Sequence, residues 1–109
     1  MKIIAVTSCP VGMAHTYMAS AALKKTAKEM GHDILVETQG SMGIRDKISS
    51  KDIQEADLFI DSADIVIEEG ERFKGKPRYK TNTSKLIKKC AEELQKALEH
   101  LKQARDIMQ

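Results

Sequence analysis

Two periods of apolar residues alternate along the chain. Lys2-Ile-Ile-Ala-Val-Thr7 is a β-branched run without polar alternation, the pattern of a strand covered on both faces in a parallel sheet. From Ala14 to Met30 the period becomes helical: Ala19, Leu23, Ala27 and Met30 fall on one side, and Lys24, Lys25, Lys28 and Glu29 on the other. Gly31 follows where a helix commonly ends on a left-handed residue. Ile34-Leu-Val-Glu-Thr38 predicts a second strand, and a helix of this length between two strands makes a right-handed βαβ unit with parallel strands. Leu58-Phe-Ile-Asp-Ser62 predicts a third strand, and Arg78-Tyr-Lys-Thr81, after the turn Gly75-Lys-Pro77, a short fourth.

The helices between them are marked less evenly. Ser49, Ser50 and Asp52 offer caps for a short helix over 51–56, while Gln39 to Ile48 reads as a loop by its glycines. Residues 64–73 support two assignments, a strand extended through Ile65-Val-Ile67 or a helical turn over Glu68 to Phe73. From Ser84 a last helix is clear, with Leu86, Ile87, Cys90, Ala91, Leu94, Ala97, Leu98 and Leu101 at helical spacing. The residues after Leu101 are expected to fray. Together these elements predict an α/β doubly wound sheet of about four parallel strands with helices on both faces. The expected organisation is one domain over 1–109, its core in 1–101.

Composition narrows what such a domain does. At 109 residues, 41% hydrophobic and 31% charged, the chain has the make-up of a globular domain, and no apolar run approaches the roughly 20 residues that cross a bilayer. The short apolar run of MKIIAVTSC lacks a signal-peptide cleavage site, so a cytoplasmic, thiol-reducing location is expected. A net charge of +2 with mixed signs, two Phe, two Tyr and no Trp give neither a basic stripe nor stacking platforms, which argues against nucleic-acid binding. Cys9 and Cys90 lie far apart and without metal-ligand spacing, so no metal, cofactor or disulfide framework is expected.

In open sheets of this class ligands gather at the C-terminal ends of strands. Two segments lie there: Thr7-Ser-Cys-Pro-Val-Gly-Met-Ala-His-Thr16 and the loop from Gln39 through Gly40 and Ser41 to Gly43. Cys9 stands just past the first strand, ahead of a helix start. The phosphate-binding stretch would then be Pro10, Val11, Gly12, Met13, Ala14, His15 and Thr16, in which the backbone amides after Pro10 form a nest that favours an anion. Pro10 removes one donor and sets the chain direction, and Gly12 lets backbone approach a ligand closely. Cys9 is either a small packed apolar residue, where most free cysteines go, or a nucleophile beside a phosphate site. His15 has three open roles: a phosphate hydrogen bond, a proton shuttle, or a plain helix-start residue. Thr16, Gln39 and Ser41 are each a phosphate contact or an ordinary loop residue. Cys90 belongs with the core, His32 and His100 with the solvated surface, and Arg45 and Lys47 with the loop charges bordering the site.

Two comparisons narrow the chemistry. Cysteine phosphatases carry Cys-x5-Arg, the arginine gripping the phosphoryl group with a bidentate fork; here that place holds His15. A P-loop would need Gly-x4-Gly-Lys-Ser/Thr, and no Gly-Lys pair follows this loop. A strand-end cysteine without the arginine fits a site that holds a phosphoryl group for another acceptor rather than passing it to water.

At this point the sequence resembles the fructose-type enzyme IIB of the bacterial phosphoenolpyruvate-dependent sugar phosphotransferase system, over Met1 to about Leu98. CPVGMAHT resembles that family's Cys-Pro-Thr-Gly-x-Ala-His-Thr loop. Val36-Glu-Thr-Gln-Gly-Ser-Met-Gly43, Ala56-Asp-Leu-Phe-Ile-Asp-Ser-Ala-Asp64 and Glu71-Arg-Phe-Lys-Gly-Lys-Pro77 resemble three further segments in the same order. The resemblance implies a parallel α/β sheet and a phosphorylated Cys9. It implies a IIA partner that donates from a phosphohistidine, and a sugar acceptor, usually fructose, in a membrane IIC permease. Val11 stands where the family commonly has Thr, which removes one hydroxyl; Asp61-Ser62 replaces a more apolar pair, and Glu68-Glu-Gly70 is more acidic than the family pattern. A fructose-like sugar other than fructose is therefore a further expectation, and with no fused IIA or IIC segment in this sequence the partners would be separate chains. The alternative is a small cysteine phosphatase or arsenate-reductase-like enzyme.

Overall fold

The run Ile3-Ile-Ala-Val6 has two faces to fill because its strand, β1 (Lys2–Ser8), sits in the middle of the sheet. Ile3 and Ala5 point into one core and Ile4 and Val6 into the other, all fully buried. The structure, a computed structural model, describes the backbone of residues 1–9, 13–40, 43–65 and 67–108, with the side chains of all of these except 13 and 104–108. The remaining elements are α1 (Met13–Glu29), β2 (Asp33–Gly40), β3 (Gly43–Arg45), α2 (Ser50–Glu55), β4 (Leu58–Ala63), a 3-10 turn (Gly70–Phe73), β5 (Arg78–Lys80) and α3 (Thr83–Met108).

The strand order is β3-β2-β1-β4-β5. β2 and β4 flank β1 in parallel, β5 runs parallel to β4, and β3 runs antiparallel to β2. The doubly wound α/β class and its four parallel strands are as the sequence predicts, and the described residues add a fifth, antiparallel strand at one edge. The extra strand, β3, lies in the stretch read as a loop. It exists because β2 runs on to Gly40, so that Thr38, Gln39 and Gly40 pair with Arg45, Ile44 and Gly43. Three residues, one a glycine at φ +94, carry no strand period of their own. Between Asp64 and Phe73 the helical alternative is correct: β4 stops at Ala63, and the turn over Gly70–Phe73 is 3-10, while Val66 lies outside the described residues.

α1 and α3 cover one face, where Ala19, Leu23 and Ala27 meet Leu86, Cys90, Leu94 and Ala97 over Ile3, Ala5, Val36, Leu58 and Ile60. The other face is smaller. Ile48, Ile53, Ala56 and Phe73 pack on Ile4, Val6, Phe59 and Ala63, with the Phe59 and Phe73 rings stacked at 4.2 Å. Sequence signals at the helix ends hold. Gly31, at φ +81, donates to the Lys28 carbonyl and His32 to that of Ala27, the two bonds of a Schellman end. Ser49 caps α2 by accepting from the Asp52 amide. The last helix runs to Met108, with one non-helical residue at Lys89.

Chain order now locates the crevice. After β1 the chain crosses by α1 to β2 on one side; after β2 and its partner β3 it crosses by α2 to β4 on the other. The loops leaving β1 and β4 therefore part at their C-terminal ends, the switch point where open α/β sheets take their ligands. Cys9 is the first residue beyond β1.

Candidate functional site

Cys9 is half-buried, and its Sγ lies 3.8 Å from Nδ1 of His15 in the first turn of α1. Thr16, the next residue, turns inward; it is fully buried, and its hydroxyl has no hydrogen-bond partner among the described residues. The Thr16 carbonyl accepts from the Thr7 hydroxyl at 3.4 Å, which ties the helix start to the end of β1. Thr7 pairs in register with Thr38, whose hydroxyl is likewise buried without a partner, as is that of Ser8. A buried hydroxyl left unpaired costs about 1–3 kcal/mol. Ser8 adjoins Cys9 in the chain, Thr16 adjoins His15 and Thr38 pairs with Thr7, so the end of β1 carries a surplus of hydroxyl groups suited to an oxygen-rich ligand. Ala14 is exposed beside them.

The expected site residues Pro10, Val11, Gly12 and Ser41, with the side chain of Met13, lie outside the described residues. Gln39 and Gly40, expected in a second loop, are instead the last residues of β2. Gln39 is buried, and both ends of its amide are taken: Nε2 donates to Glu37 and to the Glu68 carbonyl, while Oε1 accepts from the Glu68 amide. Its side chain braces the segment after β4. Cys90 lies on the buried side of α3, where burial pushes its thiol up, in keeping with a packing role.

Sequence reasoning missed the most connected group near the site. Glu37 is wholly buried, yet it accepts from both Arg72 terminal nitrogens at 2.9 and 2.8 Å, from the Ile48 amide at 3.0 Å and from Gln39 at 2.8 Å. Burial alone would push its carboxyl up; the bonds from Arg72, Ile48 and Gln39 outweigh this and hold it below the usual carboxylate range. The same contact raises Arg72. A lone carboxylate in the otherwise apolar Ile34-Leu-Val-Glu was the available signal. Its partner lies 35 residues away in the Glu71 to Pro77 motif, so two motifs separate in sequence are one ion pair in space.

Asp61 and Ser62, the polar pair ending β4, are also satisfied. Ser62 donates to the Val6 carbonyl at 2.8 Å, and Asp61 accepts from the Ala63 amide and from Lys80. Arg72 is held by Glu37, Arg78 lies over the Phe59 ring, and Arg45 is exposed on β3. Among the described residues no arginine is seen to contact Cys9, as a phosphatase loop would require. No group of three potential metal ligands and no helix long and apolar enough to cross a membrane occurs among them either.

Comparison with known proteins adds to this geometry. A family model described as "PTS system, Lactose/Cellobiose specific IIB subunit" matches residues 4–97. The chain is 45% identical over 102 residues to the PTS system fructose-like EIIB component 2 of Escherichia coli K12, covering 94% of this chain and 96% of that one. It is 46% identical over 101 residues to the PTS system fructose-specific EIIB'BC component of Vibrio cholerae, covering 93% of this chain but only 17% of that longer protein. Among solved structures, a domain of the fructose-specific IIABC component of Borrelia burgdorferi superposes with a TM-score of 0.84 at 41% identity, covering 90% of this chain and 93% of that domain.

Proposed function

We propose that this chain, which belongs to the IIB family of the phosphotransferase system, is a phosphotransfer subunit of the fructose type and carries the phosphoryl group on Cys9. The observation that supports this most is the position of Cys9 at the crevice end of the central strand, with His15 at 3.8 Å, followed in the chain by Thr16, whose buried hydroxyl has no partner among the described residues. In the first step the Cys9 sulfur attacks the phosphorus of a phosphohistidine on a IIA partner. The S–P bond forms as the N–P bond breaks, and the thiol proton ends on the departing imidazole. In the second, a hydroxyl of fructose or a fructose-like sugar held by a membrane IIC permease attacks the same phosphorus. The S–P bond breaks, and the hydroxyl proton returns to sulfur. Sugar entry is thereby coupled to sugar phosphorylation, with the IIB domain at the cytoplasmic face of the permease.

Phosphoryl transfer of this kind asks mainly for positioning and for charge stabilisation. In this reading Pro10 sets the direction of the loop, the amides of Val11, Gly12, Met13 and Ala14 supply the nest, and Thr16 supplies a hydroxyl. His15 is close enough to share the thiol proton. Gln39 and Gly40 end the strand next to β1, and Ser41 after them is proposed as a further contact. The absence of an arginine suits a carrier, since a site built to bind the transition state of attack by water would discharge its own cargo. Relatives that carry the permease on the same chain, such as the Vibrio cholerae EIIB'BC component, support the pairing with IIC.

The test is incubation with phosphoenolpyruvate and the upstream phosphotransferase proteins, read by intact-protein and peptide mass spectrometry. One acid-labile phosphoryl group should appear, and it should map to Cys9. Absence of label, or label that persists in Cys9→Ser, would falsify the assignment. Turnover of an aryl phosphate by the isolated chain should be negligible; robust turnover would favour a phosphatase.

A further inference from the structure

The solvent face of α1 changes character halfway along. Ala14, Tyr17, Met18 and Ala21, at i, i+3, i+4 and i+7, are all exposed, Tyr17 at 42% and Met18 at 52%. One turn further on, the same face carries Lys24, Lys25, Lys28 and Glu29, also exposed. None of these three lysines forms an ion pair among the described residues. Single exposed apolar side chains are ordinary. Four on one helical stripe are not, and this stripe begins at the turn that holds His15 against Cys9. Across the thiol the Asp64 amide donates to the Ser8 carbonyl, which brings Ile65, 45% exposed, to the other rim. Cys9 thus sits between two exposed apolar borders, one of which continues into unpaired positive charge.

We propose that the α1 stripe Ala14-Tyr17-Met18-Ala21, with Lys24 and Lys25 behind it, docks the protein that delivers the phosphoryl group, through an apolar patch flanked by carboxylates. The inference rests on the phosphocysteine reading above. In-line transfer requires the donor's phosphohistidine to reach sulfur, so the donor must cover the rim of Cys9, and of its two apolar borders α1 offers the longer stripe, with Tyr17 and Met18 against Ile65 alone. The charge selects between the two partners of a carrier. Cytoplasmic loops of membrane proteins carry an excess of Lys and Arg, which Lys24, Lys25 and Lys28 would repel. A donor with acidic residues around its histidine is attracted and steered. The contact is of the small, mixed kind that lets partners exchange quickly.

The experiment measures initial rates of Cys9 labelling against the concentration of a phosphorylated fructose-type IIA protein. Tyr17→Glu with Met18→Glu should raise KM about 10-fold or more, as loss of a central apolar contact does. The final extent of labelling and the urea midpoint should be unchanged. Lys24→Glu with Lys25→Glu should raise KM by a smaller factor and flatten its rise with salt. Tyr17→Ala with Met18→Ala reads the same surface should the double glutamate fail to fold. A wild-type KM in folded Tyr17/Met18 variants overturns the docking surface and leaves the carrier reading standing. An unchanged labelling step with impaired onward transfer to permease-bearing vesicles overturns it in favour of the permease. If no IIA protein labels the wild-type chain, the carrier reading falls and the docking surface with it.

Discussion

Replacing Arg72 by methionine would leave the Glu37 carboxylate buried with two of its four hydrogen bonds gone. The bonds lost are those at 2.9 and 2.8 Å from the guanidinium; the Ile48 amide and Gln39 remain. Removing one member of a buried ion pair costs about 3–5 kcal/mol because the other charge stays behind uncompensated. The Glu37 side chain is wholly inaccessible while that of Arg72 is 18% exposed, so water can follow into the guanidinium's place. The loss expected for Arg72→Met at pH 7 is therefore at the low end, about 3 kcal/mol. In a chain of 109 residues this lowers Tm by about 13 °C. Glu37→Gln added to Arg72→Met removes the stranded charge and should restore a large part of the loss, which a merely additive pair would not do. The pH dependence carries a definite sign. In the native protein the Glu37 carboxyl lies below its ordinary value of 4.5, so its contribution is complete above that pH and is lost as pH falls through the folded value. In Arg72→Met burial is less opposed and the folded value rises. The difference between variant and wild type should shrink as both are titrated from neutral pH toward pH about 4. Urea unfolding followed by circular dichroism at several pH values measures all three quantities. A loss under about 1 kcal/mol, a loss independent of pH, or a double variant no more stable than Arg72→Met would refute the reasoning.

Further expectations follow from single side chains. Thr16→Val keeps the shape of a buried side chain whose hydroxyl has no partner among the described residues; stability should hold or rise by up to about 1 kcal/mol while labelling of Cys9 slows at least 10-fold, roughly the effect of one lost stabilising donor. Urea midpoints and labelling rates on the same preparation separate the two effects, and a marked loss of stability would show that the hydroxyl serves the fold. Gly31→Ala puts a Cβ at φ +81 in open space, so the cost is conformational only, about 1 kcal/mol by thermal unfolding. Leu23→Ala opens a cavity where α1 meets the sheet and α3, and should cost about 3 kcal/mol. A value below about 1 kcal/mol would mean that the helices close over the gap.

Features set by near neighbours were legible in the residue order. β1, α1, β2, β4 and most of α3 follow from the spacing of apolar positions, because periodicity reports which sides of a segment must be dry, and α2 follows from its capping residues. The helix ends at Gly31 and Ser49 follow too, since a Schellman end and an N-cap involve residues within one turn of each other. Cys9 was recognisable as a candidate because a reactive residue just after a central parallel strand has few other places to be. Where it stands relative to the switch point needed the strand order.

Other features depend on residues distant in the chain. Gly43–Arg45 is a strand only because β2 extends far enough to pair with it, and a three-residue edge strand has no period to announce it. Glu37 looked like an interruption in an apolar strand until folding placed Arg72 against it from 35 residues away. Gln39 looked like a ligand-loop residue until the Glu68 backbone claimed both ends of its amide. Thr16 and Thr38 stand out because their hydroxyls are buried without a partner among the described residues, and packing alone decides that. Local spacing constrains the solvation of each element separately; which polar group finally meets which is settled when the elements assemble, since a buried charge or hydroxyl takes its energy from neighbours that chain order does not name.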